Sequence, residues 1–288
     1  MPKIATIGFF DGVHRGHRFL FAQLHEHAKH HQLTPAIYTF DCHPKELLTG
    51  KAPAMLTTHD ERKTLLQPFG EVHFLDFAQV QHLTAEQFMR YLQEEELVEV
   101  LLMGYDHRFG SDQLKGFSEY EKVARGVGLR VERAHECLVD SLPVSSTRIR
   151  KLLHEGQIKQ VNRLLGYHYS LTGIVEHGNG IGAQIGFPTA NIHIQSDKLL
   201  PMSGVYVAKS IVDNQTWATV VNIGSNPTVG NNHVTVEAHL IDYQGDLYGK
   251  MLVIVFEDFI REERKFGSLS ELQEQISEDV QQSVLRRY

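Results

Sequence analysis

Two histidines and three glycines are concentrated where a short apolar strand is expected to lead into a helix. The stretch TIGFFDGVHRGHRFLFAQL places His14 and His17 three residues apart. The free N–H groups and the dipole at a helix start favour phosphate, and histidines there can donate hydrogen bonds to phosphoryl oxygens as charge develops. Glycines let the backbone approach a phosphate closely. The alternative is an ordinary strand-to-helix turn with two surface histidines. The three glycines are Gly8, Gly12 and Gly16.

Two further polar segments could serve the same ligand. VSSTRIRKLL places three hydroxyls and two arginines at an expected helix start, although Ser145 or Ser146 could simply be the N-cap. MGYDHRFG ends an expected strand with Asp106 and Arg108 between glycines, which by itself is typical of a polar turn. We expect all three segments to lie at, or just after, one end of a sheet, where they could converge.

The first 155 residues alternate between strand-like and helix-like patterns. The strand-like runs are KIATIGFF, PAIYTF, VHFLDF, VEVLLMG and LRVERA. This alternation predicts a doubly wound, Rossmann-like domain with a mainly parallel sheet, which binds ligands beyond the carboxyl ends of its strands. Helix starts are predicted by three matches to the S/T-x-x-E/Q capping box, which are Thr58 with Glu61, Thr84 with Gln87, and Ser118 with Glu121.

After Gly166 the pattern changes to short β-branched runs. These are YSLTGIVEHG, GVYVAKSIV, WATVVNIG, HVTVEAHLID and MLVIVFEDF, with turns expected at 213–214 and 245–246. They predict a small antiparallel β-barrel, followed by one helix that opens with the capping box of Ser268 and Glu271. A helical, basic join is expected near 145–166. We therefore predict domains over 1–158 and 159–288.

The composition limits the class of protein. The 288 residues are 42% hydrophobic and 22% charged, which suits about two globular domains. The formal net charge of −7 gives no general basic field for nucleic acid, so local donors must hold any anionic ligand. Cys42 and Cys137 form no C-x-x-C pair and are expected to be reduced. No apolar run approaches a membrane span, and no signal-peptide core is present, so we expect a cytoplasmic protein.

A second glycine-rich segment, HGNGIGAQIGFPTANI, is not a dinucleotide fingerprint. Its glycines are too widely spaced for G-x-G-x-x-G, and no helix is expected after it. A plain glycine-rich loop is the alternative. In VTVEAHLID, strand alternation places Thr235, Glu237 and His239 on one face. By itself, a glutamate on a strand is usually only part of a solvated face.

These motifs together resemble one family. GFFDGVHRGH is similar to the G-x-F-D-G-V-H-x-G-H signature of the prokaryotic bifunctional riboflavin kinase/FMN adenylyltransferases, also called FAD synthetases. VSSTRIR resembles the family's I-S-S-T-x-I-R, GYDHRFG its G-x-D-F-R-F-G, and TFDCHPKE its T-F-x-P-H-P-x-E. The resemblance extends over nearly the whole chain. Cys42 stands where the family has proline, and His107 where it has phenylalanine.

The resemblance implies that the first domain binds ATP phosphates and flavin, with His14, His17 and Arg150 as its catalytic residues. The residues implied to bind ATP there are Gly8, Phe9, Asp11, Gly12, His14, Gly16, His17, Ser146, Thr147 and Arg150. The residues implied to lie near the flavin are His43, Pro44, Asp106 and Arg108.

The second glycine-rich segment resembles the riboflavin kinase motif ending G-F-P-T-A-N. The resemblance implies that Thr189 and Asn191 hold Mg²⁺, which prefers hard oxygen ligands. VTVEAHLID matches the strand that carries the kinase base, so Glu237 is the candidate base, and Arg261 is implied to reach the flavin or cover the site. NIGSNPTVG, DLYG and FIREERKF complete the match. The residues implied to bind ATP here are Gly180, Gly182, Gly186, Thr189 and Asn191.

We therefore expect two consecutive reactions, riboflavin to FMN and FMN to FAD, each with ATP as co-substrate and Mg²⁺ as the implied cofactor. The expected partners are these small molecules, with neither nucleic acid nor membrane among them. Ala183 stands where the family often has arginine, which leaves open an enzyme with only the adenylyltransferase active. A flavin-binding sensor or carrier without catalysis is a second alternative.

Overall fold

The computed structural model describes residues 1–178, 180–225 and 234–285. Its internal contacts divide the chain into two compact units, Met1–Ser146 and Thr147–Tyr288. This division precedes the boundary expected between residues 158 and 159, which stays a prediction. Within the described ranges, no helix is both long and apolar enough to cross a membrane.

The first unit is a five-stranded parallel sheet in the order β3-β2-β1-β4-β5, with helices on both faces, as predicted. A two-stranded antiparallel ribbon, β6-β7, was not expected. In chain order the elements are β1 (Lys3–Ile7), α1 (Arg15–His31), β2 (Thr34–Phe40), α2 (Pro44–Thr49), α3 (His59–Leu66), β3 (Glu71–Leu75), α4 (Phe77–Val80), α5 (Ala85–Glu94), β4 (Val98–Met103), α6 (Phe117–Gly126), β5 (Arg130–Arg133), β6 (Leu138–Val139) and β7 (Leu142–Pro143).

Alternating strand residues place an apolar core on each face of this sheet. On one face Ala5 and Leu101 pack with Phe88 and Met89 of α5. On the other face Ile4 and Val100 pack with α1 and α3, chiefly through Phe21, Leu24 and Leu66. The chain runs outward in both directions from the neighbouring strands β1 and β4, which makes the carboxyl ends of these two strands the topological switch point.

Two of the three capping boxes predicted in this unit are confirmed. Thr58 with Glu61 and Thr84 with Gln87 each form both reciprocal hydrogen bonds at the starts of α3 and α5. The box predicted at Ser118 is wrong, because α6 already begins at Phe117 with Gly116 as its N-cap. The carboxylate of Glu119 accepts the Lys115 N–H instead, so the chain turns into the helix earlier than the pattern indicated.

The second unit is a closed six-stranded barrel in the order β10-β11-β12-β9-β8-β13, with every neighbouring pair antiparallel. The helical join and the C-terminal helix are present as predicted, but no strand was predicted where β9 lies. The elements are α7 (Ser146–His154), α8 (Ile158–Leu165), β8 (Ser170–Glu176), α9 (Ile181–Gln184), β9 (Ala190–Ile194), β10 (Gly204–Val212), β11 (Gln215–Ser225), β12 (Val234–Leu240), β13 (Met251–Arg261) and α10 (Leu269–Leu285).

Turn chemistry accounts for part of this topology. Asp213 and Asn214 both have positive φ, +50° and +61°, as a two-residue hairpin between β10 and β11 requires. Gly245 lies instead in a longer connection, because β12 and β13 are not neighbours in the barrel. At the start of α10, the Ser268 hydroxyl accepts the Glu271 N–H as predicted, while the Glu271 carboxylate accepts from Gly267 rather than from Ser268.

Candidate active sites

The turn between β1 and α1 has a constrained backbone. Phe10 and Val13 adopt positive φ, +55° and +36°, which is strained for residues with a side chain and persists only where packing enforces it. Both side chains are buried in the core beneath the turn. Gly12 supplies a third positive φ, +78°. His14 is the N-cap of α1, and its Nδ1 accepts the His17 N–H at 3.4 Å.

The His14 and His17 rings are stacked, with centroids 3.5 Å apart and planes inclined by 19°. Burial, and then the neighbouring His14, lower the pKa of His17 well below its ordinary value, so His17 is neutral near pH 7. Its Nδ1 is buried and has no hydrogen-bond partner among the described residues, a deficit that a bound ligand can meet. A Cβ at Gly16 would lie 3.1 Å from the His14 ring, so glycine permits this close approach.

Asp11 fastens the turn to the chain before α3. Its buried carboxylate accepts hydrogen bonds from the backbone N–H groups of Leu56 and Thr57 and from the Thr57 hydroxyl, each at 3.1 Å. The Gly12 N–H donates to the same hydroxyl. The Asp11 carbonyl accepts from Ser146 Oγ at 3.0 Å, a contact within the first unit. These contacts position the turn. Thr147 and Arg150 follow on α7, within the second unit.

Arg62, which sequence reasoning missed, joins the ends of β1 and β2. Its guanidinium donates to the carbonyls of Phe9 and Phe40 and lies 3.9 Å from the centroid of the Phe9 ring. It is 2% exposed, and burial lowers its pKa to about 10, which leaves it charged at pH 7. No motif marked this residue, since an arginine on a short helix ordinarily faces solvent. A Cβ at Gly8 would lie 2.7 Å from the Phe10 ring, so Gly8 also fits only as glycine.

The predicted flavin residues of the first unit lie on the loops after β2 and β4, the two strands that flank β1. Asp106 and Arg108 line a cleft of about 210 Å³ after β4, beside β1 in the sheet. His107 also lines it, and its Nδ1 is enclosed without a partner among the described residues, although the ring as a whole is partly exposed. Burial lowers the His107 pKa to about 4, opposed by Asp106. His43 is the N-cap of α2, immediately before Pro44. The centroids of the His43 and Phe9 rings are 4.7 Å apart.

In the second unit, the glycine-rich segment forms a compact loop between β8 and β9. Gly180 and Gly186 adopt positive φ, +67° and +84°. A Cβ at Gly182 would lie 2.3 Å from the Phe187 carbonyl oxygen, and one at Gly178 would lie 1.8 Å from the Asn191 amide nitrogen. The loop therefore closes tightly over the residues that precede and begin β9. Gly178 was not among the predicted site residues, and its signal was the HGNG spacing.

Thr189, Asn191 and Glu237 are brought together by strand pairing. Asn191 of β9 is in register with Glu237 of β12, and the Thr189 hydroxyl makes a long hydrogen bond of 3.5 Å to the Glu237 carboxylate. Glu237 is half-buried. Burial raises its pKa above the ordinary value; the Thr189 hydrogen bond opposes this shift and Glu263 adds to it. The three side chains supply hydroxyl, amide and carboxylate oxygens, a donor set that fits Mg²⁺.

Glu237 and Thr189 line a cleft of about 290 Å³ that Arg261 also lines. The Arg261 guanidinium makes a bidentate ion pair with Asp279 of α10, with Nη2 at 2.8 Å from Oδ2. Asp279 is 1% exposed and also accepts from Gln275, so α10 fixes the arginine at the cleft wall. Sequence reasoning missed Asp279, whose only signal was an acidic residue on the core-facing side of a helix. Residues 226–230 of NIGSNPTVG lie outside the described residues.

Comparisons with known proteins agree with this division of sites. A model of the FAD synthetase family matches residues 1–148, and a model of the riboflavin kinase family matches residues 165–285. A solved structure described as a macrolide-efflux protein from Streptococcus pneumoniae superposes with a TM-score of 0.89 at 29% identity, covering 97% of this chain and 93% of that one. That description applies to the pneumococcal protein; the likeness shows that both units share its fold.

Curated relatives are similar over nearly the whole chain. Proteins named bifunctional riboflavin kinase/FMN adenylyltransferase are 37% identical in Pseudomonas fluorescens and 35% identical in Escherichia coli K12, each over 96% of this chain and 90% of the relative. The Listeria monocytogenes protein of the same name is 32% identical over 97% of this chain and 90% of its own length. With its histidine turn on a parallel sheet and its glycine loop on a barrel, this chain belongs to the bacterial family of bifunctional riboflavin kinase/FMN adenylyltransferases.

Proposed function

We propose residue roles for the two reactions of FAD synthesis that this transferase carries out. The barrel transfers the γ-phosphoryl group of ATP to the 5′-hydroxyl of riboflavin, giving FMN and ADP. The first unit joins FMN to the adenylyl group of a second ATP, giving FAD and pyrophosphate. The observation that carries the assignment is that each unit has its own cleft and its own partly buried titratable side chain, a neutral imidazole in the first unit and a carboxylate in the barrel.

In the kinase site Glu237 accepts the proton of the riboflavin 5′-hydroxyl while the oxygen attacks the γ-phosphorus. Burial raises the pKa of Glu237, which makes the carboxylate a stronger base than an exposed glutamate. The Thr189 hydroxyl and the Asn191 amide oxygen would hold Mg²⁺ beside it. When bound, Mg²⁺ neutralises charge on the phosphates during transfer. Gly180, Gly182 and Gly186 let the loop backbone lie close to those phosphates.

In the adenylyltransferase site the FMN phosphate is already an anionic nucleophile, so no base is required. Catalysis there is positioning and stabilisation of charge on the α-phosphate and on the departing pyrophosphate. His17, which is neutral, and the stacked His14 serve this role at the start of α1, whose dipole favours anions. Ser146, Thr147 and Arg150 are assigned to the same phosphates on the motif alone. Asp11 acts by holding the turn.

The flavin is assigned to the cleft after β4 in the first unit, where Asp106 and Arg108 offer opposite charges to its polar edge. His43 and Pro44 complete that assignment beside Phe9. In the barrel, Arg261 is assigned to cover the flavin, with its orientation fixed by Asp279. A cytoplasmic location stays a prediction.

The test is chromatography of products after incubating the full chain with ATP and Mg²⁺. We expect FMN followed by FAD from riboflavin, FAD from FMN, and neither product when a chelator removes Mg²⁺. If the protein makes FAD from FMN but makes no FMN from riboflavin, only the adenylyltransferase is active. This is the alternative that Ala183 leaves open. Binding of flavin without either product would identify a sensor or carrier and overturn the proposal.

A further inference from the structure

A cluster of three potential metal ligands is formed by side chains that line neither the cleft after β4 nor the barrel cleft. His27 and His31 are one helical turn apart near the end of α1, and Glu132 lies on the edge strand β5. One Glu132 oxygen is hydrogen-bonded to His27 Nδ1, and the other is 2.8 Å from His31 Nε2. The ligand atoms of the three side chains all lie within 4.8 Å of one another. Within residues 1–178, 180–225 and 234–285, no other group of histidine, cysteine and acidic residues is so arranged.

Neither reaction uses this cluster. The catalytic histidines lie at the first turn of α1, whereas His27 and His31 lie in its last turns. At a rise of about 1.5 Å per residue, His17 and His31 are roughly 20 Å apart along the helix axis. The cluster is therefore a second site on the same helix.

We propose that His27, His31 and Glu132 bind a divalent first-row transition metal such as Zn²⁺, and that the bound ion links the end of α1 to β5. Two imidazoles and one carboxylate form a nitrogen-rich set that suits Zn²⁺, Co²⁺, Ni²⁺ or Cu²⁺, whereas Mg²⁺ and Ca²⁺ prefer oxygen ligands. A tetrahedral zinc ion with bonds of about 2.0–2.2 Å needs ligand atoms roughly 3.4 Å apart. Small side-chain rotations achieve that from the present spacing.

The helix dipole and the carboxylate of the cluster favour a cation, and the partial exposure of the ligands leaves it an open position. The C-terminal end of α1 carries the negative end of the helix dipole, and the Glu132 carboxylate is the acid of the cluster. The His27, His31 and Glu132 side chains are 34%, 15% and 26% exposed, so water can reach the ion as a fourth ligand.

The ligands are also held in place before any metal binds. Gln23, earlier on the same helix, donates to the His135 carbonyl and accepts from its N–H, which fixes α1 against the chain that follows β5. A helix and a strand so connected keep His27 and Glu132 facing each other, which lowers the ordering cost of binding. Without metal, the same three side chains form a hydrogen-bonded cluster that connects α1 to β5. The experiment must distinguish this purely structural cluster from a metal site.

The test uses untagged, chelator-treated full-length protein titrated with ZnCl₂ by calorimetry and with CoCl₂ by visible absorption. We expect one equivalent of metal, the stronger absorption of a four-coordinate Co²⁺ site, and a melting temperature several degrees higher at excess Zn²⁺. His27→Ala and Glu132→Gln should each weaken binding by at least tenfold. His25→Ala, two residues earlier on α1, is the matched control and should bind as wild type does.

Three outcomes would overturn the proposal. One is the absence of a stoichiometric heat and of the Co²⁺ band. Another is equal weakening by His25→Ala, which would indicate nonspecific binding to surface histidines. The third is unchanged binding in Glu132→Gln, which would remove the carboxylate from the site. Far-ultraviolet circular dichroism of the metal-free variants separates loss of binding from loss of folding, and the partial exposure of all three side chains favours intact folds.

Discussion

The two turns proposed to bind phosphate, one in each unit, differ in backbone conformation. In the first unit a turn at the end of a central parallel strand includes Phe10 and Val13 at positive φ and leads into α1. Buried packing of both side chains sustains that strain. In the barrel, Gly180 and Gly186 supply the positive φ without strain, and the loop, which includes the short helix α9, continues into β9.

The difference in titratable groups follows the difference in nucleophile. The first turn presents a neutral imidazole, His17, whose pKa is lowered by burial, so it can donate but adds no charge. The barrel presents Glu237, whose pKa is raised by burial, so it can accept a proton. A phosphate monoester attacks as an anion, whereas a hydroxyl must lose its proton during attack. We therefore expect a general base in the barrel alone, and the variants below test this expectation.

Glu237→Gln is expected to give the largest separation of the two activities. Glutamine keeps the shape and still accepts from Thr189, but it cannot take the hydroxyl proton, so kinase turnover should fall by about 10²–10⁴-fold. FAD formation from FMN should be unchanged. The measurement is the rate of FMN production at saturating riboflavin, ATP and Mg²⁺.

The matched control is Glu257→Gln. Glu257 lies on β13 and is paired with Lys209, away from the cleft that Glu237 lines, so its substitution also removes a negative charge from the barrel. Its kinase rate should remain within about twofold of wild type. If Glu237→Gln phosphorylates riboflavin at the wild-type rate, Glu237 is not the general base. The proposed chemical difference between the two sites would then be wrong.

His17→Ala is expected to reverse the pattern. Loss of one preorganised donor to a developing oxyanion typically costs about 10²–10³ in rate, so FAD formation from FMN should fall by that factor. Riboflavin phosphorylation should be unaffected. The substitution removes the ring stacked on His14, but the fold should persist, because the Nδ1 of His17 has no hydrogen-bond partner among the described residues to lose. Initial rates with each flavin are compared with those of His82→Ala, an exposed histidine of the same unit. A folded His17→Ala protein with both activities lost equally would argue against independent sites.

His107→Phe is expected to change the acid stability of the first unit alone. The His107 pKa is about 4 in the folded chain and about 6.5 unfolded, so the unfolded state binds more protons below pH 6.5. Stability from this residue is present at pH 7 and is lost as pH falls from 6.5 towards 4, by about 2 kcal/mol at pH 5. Phenylalanine does not titrate, so the variant should lose about 2 kcal/mol less between pH 7 and pH 5.

Urea unfolding at the two pH values measures this effect. Circular dichroism follows the whole chain, whereas the single tryptophan, Trp217, reports on the barrel. The tryptophan transition should be the same in both proteins. An identical pH dependence by circular dichroism would show that His107 titrates normally, and a changed tryptophan transition would show that the substitution is not confined to the first unit.

Much of this architecture was predictable because it depends on local patterns. The five parallel strands and the barrel strands other than β9 follow from alternation and β-branching, and Asp213–Asn214 specifies its own turn. The strand β9 was missed because its residues belong to a motif read for chemistry, and its hydrogen bonds are made with distant β8 and β12. Ser118 failed as a cap because the helix start depends on Gly116 and Glu119.

The candidate sites were predictable only where a motif is continuous in sequence. His14, His17, Thr189 and Glu237 could be named from short runs of residues. Two buried ionic groups, Arg62 and Asp279, could not, because their roles depend on carbonyls and on an arginine that are close only after folding. The cluster of His27, His31 and Glu132 was not predicted for the same reason, because its members lie on α1 and β5, which are distant in sequence.

Ala183→Arg should have the smallest effect of these substitutions. It tests whether the two ATP sites respond independently to one added charge. Ala183 is exposed on α9, next to Gly182 of the barrel cleft, at the position where the motif resemblance implies an arginine in the family. Exposed charge pairs contribute about 0.2–1 kcal/mol, so the kinase KM for ATP should fall by roughly 1.4–5-fold, with less gain at high salt. The KM for ATP in FMN adenylylation should not move. Ala183→Gln, which lengthens the side chain without charge, is the control. A gain equal in both variants would assign the effect to packing, whereas a gain in the adenylylation reaction would mean that the two ATP sites are not independent.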